Sequence, residues 1–113
     1  MKQRFIYTVY VARFTFIESQ AFKVRPVIVI SSPVGPHEII AVIPVSSQLK
    51  IESGDLILED WKSFGLKKRS VARIHRISSI ARGDLIEKLG ELNPETQHRL
   101  AELIKQHLHL ESS

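Results

Sequence analysis

Lys23-Val24-Arg25-Pro26-Val27-Ile28-Val29-Ile30-Ser31 enters through two cations and a proline, then runs into four consecutive β-branched apolar residues. A run this short, with no polar alternation, predicts a strand buried on both faces over Val27 to Ile30. Pro26 biases Arg25 to extended geometry at the mouth of that strand. Upstream, Tyr7 to Phe16 (YTVYVARFTF) is aromatic and β-branched without a breaker and predicts another strand. Downstream, Ser31-Ser32-Pro33-Val34-Gly35-Pro36 is turn chemistry, and Ile39 to Val45 (IIAVIPV) is a further apolar strand. Pro44 marks a position in it where no ladder N–H is required. Asp55 to Leu58 and Ser70 to Ile77 supply two more strands around a loop at Gly65. In the second of these, alternation sets Val71, Arg73 and His75 on one face and Ala72, Ile74 and Arg76 on the other.

Helix takes over at the end. Asn93 suits an N-cap, Pro94 the first helical position, and Glu95 the positive end of the dipole. Leu100, Leu103, Ile104 and Leu108 then form an apolar stripe at helical spacing. A shorter helix is expected over about Asp84 to Leu89, with Gly90 at C′. About five short strands and a terminal helix describe a mainly β domain, a small barrel or sandwich capped by a helix. Periodicity does not choose among SH3-like, OB-like and other small barrels.

The 113 residues suit one domain, 1–113, with one modest core. Hydrophobic residues make up 43% and charged residues 25%, as in ordinary soluble proteins. Without cysteine, neither a disulfide nor a thiolate metal site is open to the chain. The apolar runs fall well short of the roughly 20 residues of a membrane span, and no apolar h-region follows the first cations. The expected location is the cytoplasm. Net charge is +4, and its distribution matters more than its size. From Trp61 to Gly83 stand Lys62, Lys67, Lys68, Arg69, Arg73, Arg76 and Arg82, with no carboxylate between them. Such a stretch has the footprint of a phosphate-backbone binder. It is equally the pattern of a strand pair whose acidic partners come from elsewhere in the fold.

Four blocks in order then narrow the choice. Phe14-Thr15-Phe16 followed by Lys23-Val24-Arg25-Pro26-Val27-Ile28-Val29-Ile30-Ser31 resembles the "FPF…KxRPxLVhS" pattern of PemK/MazF-like toxins. Val45-Ser46-Ser47-Gln48 is similar to that family's "ITSQ", and Gly65-Leu66-Lys67-Lys68-Arg69-Ser70-Val71 to its "GLxxxSVV". Ile86-Glu87-Lys88-Leu89-Gly90-Glu91-Leu92 is similar to "xxKLGxL". Two departures stand out. Tyr7-Thr8 occupies the place of the family's usual Gly-Asp, and Ala21 that of a common loop glycine.

The resemblance implies an SH3-like small barrel of the PemK/MazF/CcdB type and a homodimer. It further implies a sequence-specific endoribonuclease that cleaves single-stranded mRNA, needs no metal or other cofactor, and is held in check by a cognate acidic antitoxin. In the chemistry attributed to the family, a ribose 2′-OH attacks the adjacent phosphate, leaving a 2′,3′-cyclic phosphate and a 5′-OH. That reaction asks for a base, an acid and cations on the phosphorane.

Arg25 and Ser46 match the family's catalytic pair, where the second position is commonly threonine. A guanidinium can fork two phosphate oxygens, and a hydroxyl can hydrogen-bond a third. Without the resemblance, Arg25 reads as a strand-end arginine in a surface ion pair. Ser46 reads as turn chemistry, with Ser47 as the alternative hydroxyl. Arg73 matches a catalytic arginine of the PemK-type branch, and His75 stands where that branch has an acid. Histidine titrates near neutrality and could take over proton transfer; it could equally be a half-exposed strand residue without a role. Lys23, Ser47, Gln48, Lys67, Lys68 and Arg69 are expected to position RNA. Trp61 and Phe64 could stack a base or belong to the core. His107 and His109, two apart on a helix, do not face one another and suggest no metal site. Two other functions stay open: a CcdB-like toxin directed at DNA gyrase, and a catalytically silent RNA-binding relative.

Overall fold

The computed structural model describes residues 5–15, 22–51 and 54–108, with no side-chain description at 14, 15 and 22. The Phe16 end of the first predicted strand, the departure at Ala21 and the position of His109 lie outside them. Seven strands and one helix follow in order: β1 Thr8–Thr15, β2 Phe22–Val29, β3 Ile39–Ser46, β4 Leu56–Leu58, β5 Ser70–Ala72, β6 Ser78–Ala81, β7 Leu85–Glu91 and α1 Pro94–Leu108. All pairings are antiparallel, in the order β4-β5-β3-β2-β1-β7, with β6 also on β3. β3 is the hub: its first half pairs with β6 and its last residues with β5, which bends the sheet.

The unbroken VIVI run is buried on both faces, as its composition requires. Ile28 lies in a core with Val9, Ile43, Val45, Leu58, Phe64 and Leu100. Val27 and Val29 face the opposite way, into a second cluster with Ala12, Ile40 and Val42. Helix α1 starts as expected, with the Thr96 N–H donating to Asn93 Oδ1 at 2.8 Å. Its stripe is shorter than the spacing suggests. Leu100 is fully buried, Leu103 and Ile104 pack against the core, and Leu108 is exposed.

Two predicted elements are different. The Ser70–Ile77 strand stops at Ala72, and Ile74–Arg76 form a 3₁₀ turn before β6. Val71, Ala72, Arg73 and Ile74 are all buried in succession, which the two-residue period of a strand on a half-solvated sheet cannot satisfy. Arg73 and His75 therefore do not alternate on one strand face. The expected Asp84–Leu89 helix is instead β7, laddered on β1 through Tyr10↔Lys88 and Val11↔Glu87. Gly90 is no helix cap: it lies within β7, where a Cβ would come 2.6 Å from the Phe64 carbonyl oxygen. Opposite it, Gly65 has φ +84° and a Cβ there would meet the Leu89 carbonyl oxygen at 2.1 Å. The two glycines let the 60–66 loop lie backbone against backbone on β7.

Tyr7, at the first departure from the family pattern, has φ +70°. A left-handed residue is easy for glycine and costly for tyrosine. Here it is held by the Tyr7 N–H to the Val29 carbonyl at 2.7 Å and the Leu92 N–H to the Tyr7 carbonyl at 3.0 Å, while its ring packs on the core. No helix among the described residues is long and apolar enough to cross a membrane.

Candidate active site

Three strands bring the site together. β2 and β3 pair from Val29↔Val42 to Val27↔Pro44, and Arg25 and Ser46 follow this ladder on their own strands. On the other side of β3, Val45 pairs with Ala72, and the Arg73 N–H extends the ladder to the Pro44 carbonyl at 2.9 Å. The ends of β2, β3 and β5 thus converge on an open cavity of about 190 Å³. Arg25, Ser46, Gln48 and Arg73 line it, together with Pro44 and Val45. Lys50 and Arg76, which the sequence did not single out as site residues, complete the wall. Among the described residues four cations and no carboxylate line this space, which suits an anion. Its volume is below the roughly 300–1,000 Å³ of pockets that engulf a drug-sized ligand.

Ser46 Oγ accepts the Gln48 N–H at 3.1 Å, which leaves the hydroxyl proton available to a ligand. Arg73 has a different environment. Its side chain is 10% exposed, and its Nη1 donates to Asp55 Oδ2 at 2.8 Å and to the Lys50 carbonyl. Its Nη2 donates to the Gln48 carbonyl at 2.7 Å. Arg73 therefore ties the segment after β3 to the start of β4, besides bordering the cavity. His75, in the 3₁₀ turn between the lining residues Arg73 and Arg76, places Nδ1 3.0 Å from Asp55 Oδ1. It is not itself among the lining residues.

Sequence reasoning missed Asp55, which is fully buried at its carboxylate and partners two candidate residues. Its partners lie 18 and 20 residues ahead in the chain, so no local pattern reveals it. The remaining RNA-positioning candidates stand apart from the cavity wall. Lys23 and Ser47 are exposed near it but do not line it. Lys67, Lys68 and Arg69 precede β5, at the opposite end of that strand from Arg73. Arg69 pairs with Glu59 at 2.9 Å and Arg82 with Glu38 at 3.1 Å. Much of the basic stretch thus finds acids from elsewhere in the fold. Phe64 is 1% exposed and belongs to the core, so it cannot stack a base. Trp61 packs half-buried beside it, with Lys62 Nζ 5.4 Å from the ring centroid. Among the described residues no three His, Asp or Glu side chains group as a metal would need.

The fold has known counterparts. The Mycobacterium tuberculosis toxin MazF-mt6 superposes with a TM-score of 0.74 at 22% identity, covering 93% of this chain and 99% of that one. An endoribonuclease from a mycobacterial species, in complex with its cognate antitoxin, gives 0.69 at 12% identity, covering 98% and 100%. An endoribonuclease from a mycobacterial species gives 0.71 at 12%, covering 100% and 98%. At these identities the likeness speaks for the fold: the mainly β, helix-capped architecture expected from the sequence blocks. No curated protein matches the chain. The family model described as PemK-like, MazF-like toxin of type II toxin–antitoxin system matches residues 2–108, nearly the whole chain, and this protein belongs to that family.

Proposed function

We propose that this toxin is an endoribonuclease that cuts single-stranded RNA at the cavity between β2, β3 and β5. The supporting observation is that Arg25 and Ser46 line one cavity together with Lys50, Arg73 and Arg76. In this reading a scissile phosphate sits in the cavity. Arg25 forks its non-bridging oxygens, and Arg76 and Lys50 add positive charge where the phosphorane gains negative charge. The Ser46 hydroxyl, its oxygen already occupied by the Gln48 N–H, donates to a phosphate oxygen. The 2′-oxygen forms a bond to phosphorus as the P–O5′ bond breaks. The 2′-OH proton leaves to a base, and a proton is delivered to the departing O5′. His75, next in sequence to the lining residue Arg76, is the residue we assign to this transfer. Arg73 holds the wall in place rather than meeting the phosphate first.

The protein then acts on cytoplasmic mRNA as a homodimer, restrained by an acidic antitoxin. A flexible anionic segment suits the same cationic wall and competes with RNA there. The test incubates purified protein with a defined single-stranded RNA in EDTA and maps the ends. Cleavage leaving cyclic phosphate and 5′-OH is the expected result. Full loss of activity in EDTA with rescue by Mg²⁺, or 5′-phosphate products, contradicts it.

A further inference from the structure

Gln48 leaves the end of β3 with both of its main-chain polar groups already bound. Its N–H donates to Ser46 Oγ at 3.1 Å, and its carbonyl accepts Arg73 Nη2 at 2.7 Å. Two residues on, the Lys50 carbonyl accepts Arg73 Nη1, so this exposed stretch is pinned on either side of Leu49. The Gln48 side chain takes no part in the anchoring. It lines the cavity, and among the described residues its amide has no hydrogen-bond partner. Arg25, Lys50, Arg73 and Arg76 line the same space, and their side chains can only donate. Of the lining side chains only Ser46 and Gln48 contain an acceptor, and Ser46 Oγ already takes the Gln48 N–H. Cations grip phosphate, which is the same in every nucleotide, whereas sequence is read at base edges. A carboxamide matches a mixed donor–acceptor edge, because its N–H and C=O stand side by side. Reading of that kind needs an amide launched from a backbone that does not shift, and Arg73 with Ser46 supplies one.

We infer that Gln48 is a specificity-determining residue, whose amide hydrogen-bonds the edge of one base next to the phosphate held in the cavity. This rests on the nuclease reading for the phosphate and adds the contact that tells one nucleotide from another. Lys50, two residues along the same wall, is the contrast: its ammonium attracts any sequence and distinguishes none. The base is read unpaired, with its hydrogen-bonding edge open, which restricts the ligand to single-stranded RNA.

The first arm of the test needs no cleavage. A randomised pool of single-stranded 2′-fluoro oligonucleotides, which lack the attacking hydroxyl, is bound to wild type, Gln48→Ala, Gln48→Met and Lys50→Ala, and the bound fraction is sequenced. Methionine keeps the length of glutamine without its amide, and circular dichroism checks that each variant is folded. Wild type should favour one base about tenfold or more at one position, as expected of a two-bond amide contact. Both Gln48 variants should flatten that preference to about twofold or less. Lys50→Ala should bind every sequence more weakly with the preference intact. In the second arm the same proteins cut a randomised RNA pool and the new ends are sequenced; the position flattened in the Gln48 variants should adjoin the cut. Folded Gln48 variants that keep every preference, equal flattening by Lys50→Ala, a flattened position that does not adjoin the cut, or a wild type that selects no base each overturn the inference. Binding with a Gln48-dependent preference but without cleavage sinks the nuclease reading alone and leaves the base contact standing.

Discussion

Replacing Arg73 by alanine should damage the fold before it damages the chemistry. The side chain is 10% exposed and its carboxylate partner not at all, so water does little to screen the pair. Without the guanidinium, the buried Asp55 carboxylate loses its fixed positive partner while keeping the His75 contact, and breaking a buried ion pair typically costs about 3–5 kcal/mol. The Gln48 and Lys50 carbonyls lose a donor too, but their segment is exposed and water can replace it, so they add little. For a chain of this size about 4 °C of midpoint accompanies each kcal/mol, giving a fall of about 12–20 °C. That is a large share of the roughly 5–15 kcal/mol that holds a domain folded. Thermal unfolding followed by circular dichroism or calorimetry measures it directly. The double change Asp55→Leu with Arg73→Met removes both charges and should recover most of the midpoint, since apolar replacements of such pairs are commonly near neutral. A midpoint within about 4 °C of wild type for Arg73→Ala, or no recovery in the double variant, would refute the reasoning.

Arg25→Ala should do the reverse: a loss of about a hundredfold or more in RNA cleavage with the melting midpoint close to wild type, read from initial rates on a labelled oligonucleotide. Wild-type rates in that variant would remove Arg25 from the reaction. Gly65→Ala should destabilise by more than about 2 kcal/mol in urea titration, because left-handed strain of about 1–2 kcal/mol is joined by a clash with the Leu89 carbonyl; a loss under half that amount would mean the 60–66 loop moves freely off β7. At Tyr7, glycine should be more stable than alanine, the opposite of the order usual for these two residues within strands and helices. Both lose the ring, but only alanine keeps the Cβ that resists φ +70°. Equal midpoints for Tyr7→Gly and Tyr7→Ala would show that the strain is not there.

What the sequence made legible was whatever depended on neighbours. The VIVI run, the IIAVIPV strand and the Asn93-Pro94 helix start are local patterns, and each forms as read. Arg25 and Ser46 were singled out through blocks in family order, and both line the same cavity. The failures were places where distant partners override local period. Leu85 and Leu89, four apart and followed by glycine, imitate a helix end. β1, more than seventy residues earlier, instead takes the segment as a strand. Ser70 to Ile77 alternates well enough to look extended, but burying Arg73 on Asp55 and Ile74 in the core breaks the period. Lys67 and Lys68 precede β5, at the end of that strand away from Arg73, a placement the sequence alone does not show.

Arg73 holds the 48–50 segment by main-chain oxygens, not by side chains. Every amino acid offers the same carbonyl. Mutation can therefore rewrite the side chains at Gln48, Leu49 and Lys50 while the segment stays moored where it is. A lineage can try new residues along one wall of its cavity and leave the mooring in place. Drift in recognition and persistence of the framework become separable, because the attachment is blind to what it attaches.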